Sequence, residues 1–156
     1  MSGKLQAEIK QSKPFPRLED EAFVNLIRTA DRLVSAQAQL MKPWDLSPTQ
    51  YNVLRILRGA GHEGLCCGEV GERLITRDPD ITRLLDRMES RGLVTRSRDR
   101  KDRRVIAVRI TQAGLKLLEE MQPAVEEFAR KHLGPLGAAR LRTLIDLLEQ
   151  ARERAG

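Results

Sequence analysis

The 156-residue chain has little histidine, little cysteine and no long apolar run, and each shortage removes a class of function. His62 and His132 stand far apart with no ligand-spaced cysteine or carboxylate near them, which sets metal coordination aside. Cys66 and Cys67 are adjacent, so they cannot form an ordinary structural disulfide with each other, and the fold must stand on hydrophobic packing. No stretch approaches the roughly 18 apolar residues that span a bilayer. The opening MSGKLQAEIKQSK lacks the apolar core of a secretory signal, so a cytoplasmic protein without a membrane partner is expected. A glycine-rich phosphate loop, a nucleophile–histidine motif and a carboxylate cluster outside evident ion pairs are all missing, which argues against an enzyme and against a cofactor.

What is present is positive charge in one place. The formal net charge is +6, and between Arg73 and Arg109 there are twelve Lys or Arg against six Asp or Glu, leaving sixteen of each elsewhere. A cationic segment on an otherwise neutral chain is the footprint of a polyanion-binding face, because contact with phosphates releases condensed counterions. The plain alternative is a solvated charged surface with no partner.

Hydrophobic periodicity orders the rest. Residues 1–17 are polar, hold Pro14 and Pro16 and show no period, so they read as an extended or mobile arm. From Leu18 apolar residues recur at three- and four-residue steps through Phe23, Leu26, Ile27, Ala30, Leu33, Val34, Leu40 and Met41, predicting a long amphipathic helix that Pro43 ends. Ser47-Pro48-Thr49-Gln50 has the form of a capping box and starts a second helix, which Gly59-Ala60-Gly61 stops. A short third helix is expected over Gly68–Ile75, with Val70 and Leu74 inward. A fourth is expected to open at Asp78-Pro79, to turn Ile81, Leu84, Leu85 and Met88 inward, and to end at Gly92. The period then switches to two. Leu93-Val94 begins one strand, and Ile106, Val108 and Ile110 alternate with Val105, Ala107 and Arg109 on another, so RSRDRKDRR (Arg96–Arg104) holds a hairpin tip. Thr111 caps a long helix interrupted by Pro123, and after Gly134-Pro135 a last helix carries the stripe Leu141, Leu144, Ile145 and Leu148.

Three helices followed by a basic hairpin is the order of a winged helix-turn-helix, whose second motif helix enters a DNA major groove. The expected fold is mainly α with a small β-hairpin wing: a DNA-binding lobe over residues 46–111 and a helical dimerisation lobe over residues 18–42 and 112–154. On the fourth helix the face opposite the core presents Asp80, Thr82, Arg83 and Arg87, with Arg77 just before it. Arginine bridges a guanine edge or clamps phosphates, and threonine meets a phosphate or a thymine methyl. Intrahelical ion pairs among Arg83, Asp86 and Arg87 are the plain alternative. In the hairpin tip Arg98, Arg100, Lys101, Arg103 and Arg104 interleave with Asp99 and Asp102. A carboxylate beside an arginine holds the guanidinium in one rotamer before it enters a narrow minor groove, making Asp102 an organiser and Arg104 the probe; an exposed ion pair of negligible energy is the alternative.

DITRLLDRMESRGLV (Asp80–Val94), the DRR of residues 102–104 and the TQAG of residues 111–114 together resemble the MarR family of transcriptional regulators, over a span from about Leu18 to the C-terminus. The resemblance implies a homodimer in which the first and the last two long helices interlock with their mates, two winged lobes on a pseudo-palindromic operator, repression as the usual outcome, and relief by small phenolic or other aromatic ligands. It places Arg104 in the minor groove with Asp102 behind it, and maps the polar positions of the recognition helix onto Asp80, Thr82, Arg83 and Arg87. It also puts Trp44 and Tyr51 near the effector region of such proteins, where core or interface packing explains them equally well. One departure stands out: ITRDPDIT places Asp78 and Asp80 where phosphates would lie, which costs affinity unless one caps the helix and the other accepts from a cytosine amino group.

Independently of the family, the long helices carry more apolar residues than a small monomer covers, and Phe23, Ile27, Leu141, Leu144, Ile145 and Leu148 are the expected dimer contacts. Cys67 suits a reactive thiol at the start of the third helix with Cys66 as an exchange partner, but a small buried residue is the simpler reading. The partners expected are double-stranded DNA, a second copy of the chain and a small aromatic or phenolic effector. A ligand-blind architectural DNA protein or a winged-helix protein-interaction module explains the basic segment but not the mixed acid–base tip. Sequence-selective gel shifts distinguish the regulator from the architectural protein, and absence of salt-dependent DNA binding marks the interaction module.

Overall fold

The structure, a computed structural model, describes residues 3–156, which divide into two compact units with the boundary between residues 48 and 49. In the first unit a short helix α1 (Lys4–Glu8) precedes the long helix α2 (Leu18–Met41) and a 3-10 turn at Lys42–Trp44. Glu19, Asp20 and Glu21 stand in the first turn of α2, where carboxylates oppose the positive end of the helix dipole. The reading of residues 1–17 as an extended or mobile arm is corrected over Lys4–Glu8. There Leu5 is buried, and the Glu8 carboxylate pairs with Arg28 at 3.3 Å and Arg32 at 3.5 Å. A single turn holding one buried leucine is too short to leave a periodic signal.

The second unit holds α3 (Pro48–Ala60) apart from its first residue, then β1 (Leu65–Cys66), α4 (Cys67–Arg73), α5 (Ile81–Ser90), β2 (Val94–Arg98), β3 (Ile106–Ile110), α6 (Gln112–Leu133) and α7 (Gly137–Glu153). Its buried helical side chains include Val53, Leu54 and Leu57 of α3, Val70 of α4, Leu84, Leu85 and Met88 of α5, and Leu118 and Met121 of α6, whereas Leu74 and Ile81, expected inward, are only half-buried. The three strands form an antiparallel sheet in the order β1-β3-β2. Mainly helical architecture with a small β-wing is therefore what the chain adopts.

Three local differences from expectation have physical causes. Helix α5 starts at Ile81, two residues later than Asp78-Pro79 suggests, because Asp80 is the cap: its Oδ1 accepts from the Arg83 amide at 3.2 Å, and Asp78 Oδ1 accepts from the Asp80 amide at 2.8 Å. Helix α4 ends at Arg73 rather than Ile75, with Leu74 extended and the Ile75 amide donating to Asn52 Oδ1 at 2.8 Å. The strict alternation expected of β3 fails at its centre, where consecutive Ala107 and Val108 are both buried. Ala107 and Val108 point to opposite faces of the central strand, which the unforeseen two-residue β1 flanks through Leu65↔Val108 and Cys66↔Ala107, so both faces are covered at that point.

The step from α5 into the wing is tightly specified. Gly92 adopts φ 73°, its amide donates to Glu89 O at 2.9 Å and the Leu93 amide to Met88 O at 3.0 Å, the paired bonds of a Schellman ending. Thr111 closes the far end of the wing: its hydroxyl donates to Gly92 O at 2.6 Å and accepts from the Gly114 amide at 3.1 Å, capping α6. Gly114 is required there by contact, since a Cβ would lie 2.5 Å from the Leu93 carbonyl oxygen and 2.7 Å from Ile110 Cγ1. Gly114→Ala is expected to destabilise the fold by about 1–3 kcal/mol in urea titration, and an unchanged midpoint would show that α6 does not depend on this close approach.

Candidate nucleic-acid interface

Helix α5 and the hairpin β2–β3 carry the cationic segment. With Leu84, Leu85 and Met88 buried, helical geometry leaves Thr82, Arg83 and Arg87 exposed on the outer face. Arg83 and Arg87 make no ion pair among the described residues. The alternative that they pair with Asp86 is not what forms: Asp86 is taken by Arg96 of β2. Arg77 is exposed in the loop before the cap. Asp80 stands at the mouth of α5, its carboxylate on the Arg83 amide.

The tip of the hairpin is folded by its acids. Asp99 Oδ1 accepts from the amides of Lys101 and Asp102 at 2.7 and 3.3 Å, and the Asp99 amide donates to Val105 O at 2.8 Å. Asp102 is bound to Arg104 three times: Oδ1 accepts from the Arg104 amide at 3.0 Å and from Nε at 3.1 Å, and Oδ2 accepts from Nη2 at 3.2 Å. These bonds hold the Asp102 carboxyl below its usual range, the Arg104 side chain first and its amide second. The Arg104 side chain is nonetheless 91% exposed, so its conformation is constrained while its outer edge remains open to a partner. Arg98 Nη1 donates to Arg103 O at 2.7 Å, bracing the loop. Arg100 and Arg103 project to solvent, and Lys101 reaches Glu63 at 3.4 Å between two largely exposed side chains. On the flank of the wing a polar concavity of about 630 Å³ is lined by His62, Glu63, Arg98, Arg100, Lys101 and Arg109 among others. Arg109 is fixed there by His62 O and Ser97 Oγ, both at 2.9 Å.

The residue that sequence reasoning missed is Arg96. It reads as one more basic residue of the tip, but it lies in β2 opposite Val108, and its guanidinium reaches Asp86 and Glu89 of α5. The spacing of Asp86 and Glu89, three apart on one helix face, was the available signal. Of the other candidates, Tyr51 is nearly buried, accepts from Arg55 Nη1 at 3.1 Å, and lines a cavity of about 290 Å³ with Arg55, Arg58, Leu118, Gln122 and Glu126. Trp44 is half-buried in the 3-10 turn. Cys66 and Cys67 are half-exposed free thiols, the Cys66 amide donating to Glu69 at 2.9 Å as α4 begins. Among the described residues no group of three or more His, Cys, Asp or Glu is arranged to hold a metal, and no helix is long and apolar enough to cross a membrane.

A helix-turn-helix whose second helix displays arginine and threonine, joined to a basic hairpin with an ordered tip, defines a winged-helix DNA-binding protein. Comparison with known proteins carries this further. A family model described as MarR family matches residues 44–105. The chain is 32% identical over 133 residues to the HTH-type transcriptional repressor IacR of Pseudomonas putida, covering 85% of this chain and 78% of that one. It resembles the crystal structure of a MarR transcription factor from Planctomyces limnophilus, at 42% identity and TM-score 0.67 over 87% of this chain and 98% of that one. It also resembles Bordetella bronchiseptica BpsR, whose DNA binding is regulated by 6-hydroxynicotinic acid, at 26% identity and TM-score 0.77 over 90% and 98%. The chain belongs to the MarR family and is a DNA-binding transcriptional regulator of that type, not an enzyme.

The Glu89 carboxyl is held below its ordinary value of 4.5, first by the Arg96 guanidinium and then by the Arg96 amide. A depressed carboxylate contributes stability that is fully present above its unfolded value and is lost as pH falls through the lower folded value. The thermal midpoint of the wild type should therefore exceed that of Glu89→Gln above about pH 5, with the gap closing in more acidic buffer; a gap independent of pH would deny the link a role in stability.

Proposed function

We propose that this protein binds a pseudo-palindromic operator as a homodimer, represses transcription there, and is released by a small aromatic or phenolic effector. The observation that carries the DNA reading is Arg104, gripped by Asp102 through guanidinium and amide yet almost wholly open to solvent, on a tip that strand β2 joins to a helix bearing Arg83 and Arg87. A narrow minor groove concentrates negative potential, and an arginine already confined to one rotamer enters it at a lower entropic cost. In this assignment Thr82, Arg83 and Arg87 address the major groove, and Arg77, Arg98, Arg100, Lys101 and Arg103 meet phosphates. Asp102 orients Arg104, and Asp80 acts chiefly as the cap that orders Arg83.

The homodimer is supported by apolar surface left open in a single chain. In the first unit Phe23 is 64% and Ile27 58% exposed. In the second, α7 contains no buried residue although Leu141, Leu144, Ile145 and Leu148 form one stripe, and Ile145 is 53% exposed. Isolated surface leucines need no explanation, but a 17-residue helix without one buried side chain does. Residues 18–42 and 112–154 are accordingly assigned to the dimerisation lobe and 46–111 to the DNA-binding lobe. For the effector, Tyr51 beside Arg55 and Arg58 offers an aromatic surface and cations suited to an aromatic acid, and Trp44 of the first unit is a separate candidate contact. Among the relatives, IacR, a named repressor, supports repression, and BpsR, whose DNA binding 6-hydroxynicotinic acid regulates, supports an effector.

Footprinting the region upstream of the protein's own gene, with and without small aromatic acids, tests the whole reading; equal protection of all sequences would favour an architectural role instead. Arg104→Ala is expected to weaken operator binding by about 1–3 kcal/mol with the thermal midpoint unchanged, and an unaltered affinity would remove the wing from recognition. Leu144→Asp combined with Leu148→Asp is expected to yield monomers by light scattering and to abolish operator binding with them. Monomers that still bind tightly would reject the two-fold arrangement.

A further inference from the structure

Helix α5 and strand β2 are joined through one side chain. Arg96 Nη2 donates to Asp86 Oδ1 in a very short contact and to Glu89 Oε1 at 3.0 Å, while the Arg96 amide donates to Glu89 Oε2 at 2.9 Å. Glu89 thereby spends one oxygen on the strand's backbone and the other on its guanidinium. At 24% exposure the Arg96 side chain is the least accessible member of the group, against 55% for Asp86 and 40% for Glu89. None of the three is available to a phosphate, so the cluster sits within the cationic segment without adding to its reach.

Its position gives it another role. Asp86 and Glu89 lie on α5 alongside the exposed Arg83 and Arg87, and β2 runs from Arg96 into the tip that carries Arg104. Strand β2 is itself held rigid along five registered pairs with β3, from Val94↔Ile110 to Arg98↔Ile106. The distance between the recognition-helix side chains and the minor-groove probe is thus set by two stiff elements and the Arg96 guanidinium and amide that join them. Both carboxylates take their bond from one nitrogen, Nη2, whose two N–H directions are fixed in the guanidinium plane; a lysine ammonium carries the same charge on a freely rotating end and does not fix those directions.

We infer that Arg96 is a positioning residue for operator discrimination, acting through Asp86 and Glu89 to fix the spacing of α5 against the wing. The inference rests on the operator reading above. Non-specific binding needs only cations near phosphates, whereas specific binding needs both sets of side chains in register at once, and so is the quantity that slack in this joint diminishes.

The test compares dissociation constants for an operator duplex and a random duplex at one salt concentration, using full-length wild type, Arg96→Lys and the double variant Asp86→Asn with Glu89→Gln. Arg96→Lys preserves net charge, so operator affinity should fall about tenfold or more while random-duplex affinity stays within about twofold. The double variant removes two negative charges from the DNA-facing helix, so its random-duplex affinity should rise while its operator preference falls, a divergence that mere loss of stability does not produce. It also decides the matter if Arg96→Lys does not fold. Parallel loss of both affinities, or wild-type discrimination in the variants, overturns the inference and leaves the operator reading standing. Wild-type protein that binds both duplexes equally overturns the operator reading and this inference together.

Discussion

Arginine is attracted to DNA in any conformation, but it recognises DNA only in a few, and the difference is the ordering entropy of a long side chain. The pairing of arginines with carboxylates inside the cationic segment addresses that cost. Asp102 holds Arg104, Asp99 gathers the amides of Lys101 and Asp102, and Asp86 with Glu89 holds Arg96. Three of the six acidic residues between Arg73 and Arg109 hold an arginine, Asp99 folds the tip through backbone amides, and Asp78 and Asp80 shape the start of α5. A segment selected for charge alone would have no use for them, since each acid cancels a cation in the long-range field. What they supply is shape: a tip, a helix start and a joint that are formed before any partner arrives.

The scaffold serves the same end. The Schellman ending at Gly92 and the Thr111 cap both act on the Gly92–Leu93 corner, so the exit of α5 and the entry of α6 are fixed to one short piece of backbone. The Leu93 carbonyl accepts the Thr111 amide at 3.1 Å and also forms the wall against which Gly114 packs. The hairpin between them can vary at its tip without disturbing either helix, which is how one fold accommodates many operators.

Much of this was legible in the residues. Helical periodicity located α2, α3, α5, α6 and α7 and the three side chains that α5 buries, because long elements repeat their signal over several turns. Alternation and the basic run placed the hairpin. Short elements were lost: α1 has five residues and β1 two, and neither length contains a period. The start of α5 was misplaced because Asp78-Pro79 and Asp80 both have the chemistry of a cap, and only geometry selects between them. Arg96 was hidden among neighbours of identical charge. Its role depends on which face of β2 it occupies, and that register is set by pairing with β3 rather than by its own local sequence.

The cationic face and the apolar faces constrain each other. A single winged unit offers one recognition helix and one probe, and the contacts available to it cannot distinguish one site among the very large number of competing sites on a genome. A second copy doubles the set of contacts at the cost of one association, provided that the two are held at the spacing of successive major grooves. In the homodimer proposed above, the apolar residues of α2 and α7 left open in one chain supply that hold, and they lie outside the wing. In that proposed dimer, an effector that alters the separation of the two winged lobes need not touch a single arginine to weaken binding. It has only to favour the arrangement in which both probes cannot reach their grooves together, and a differential affinity of a few kcal/mol between the two arrangements is sufficient.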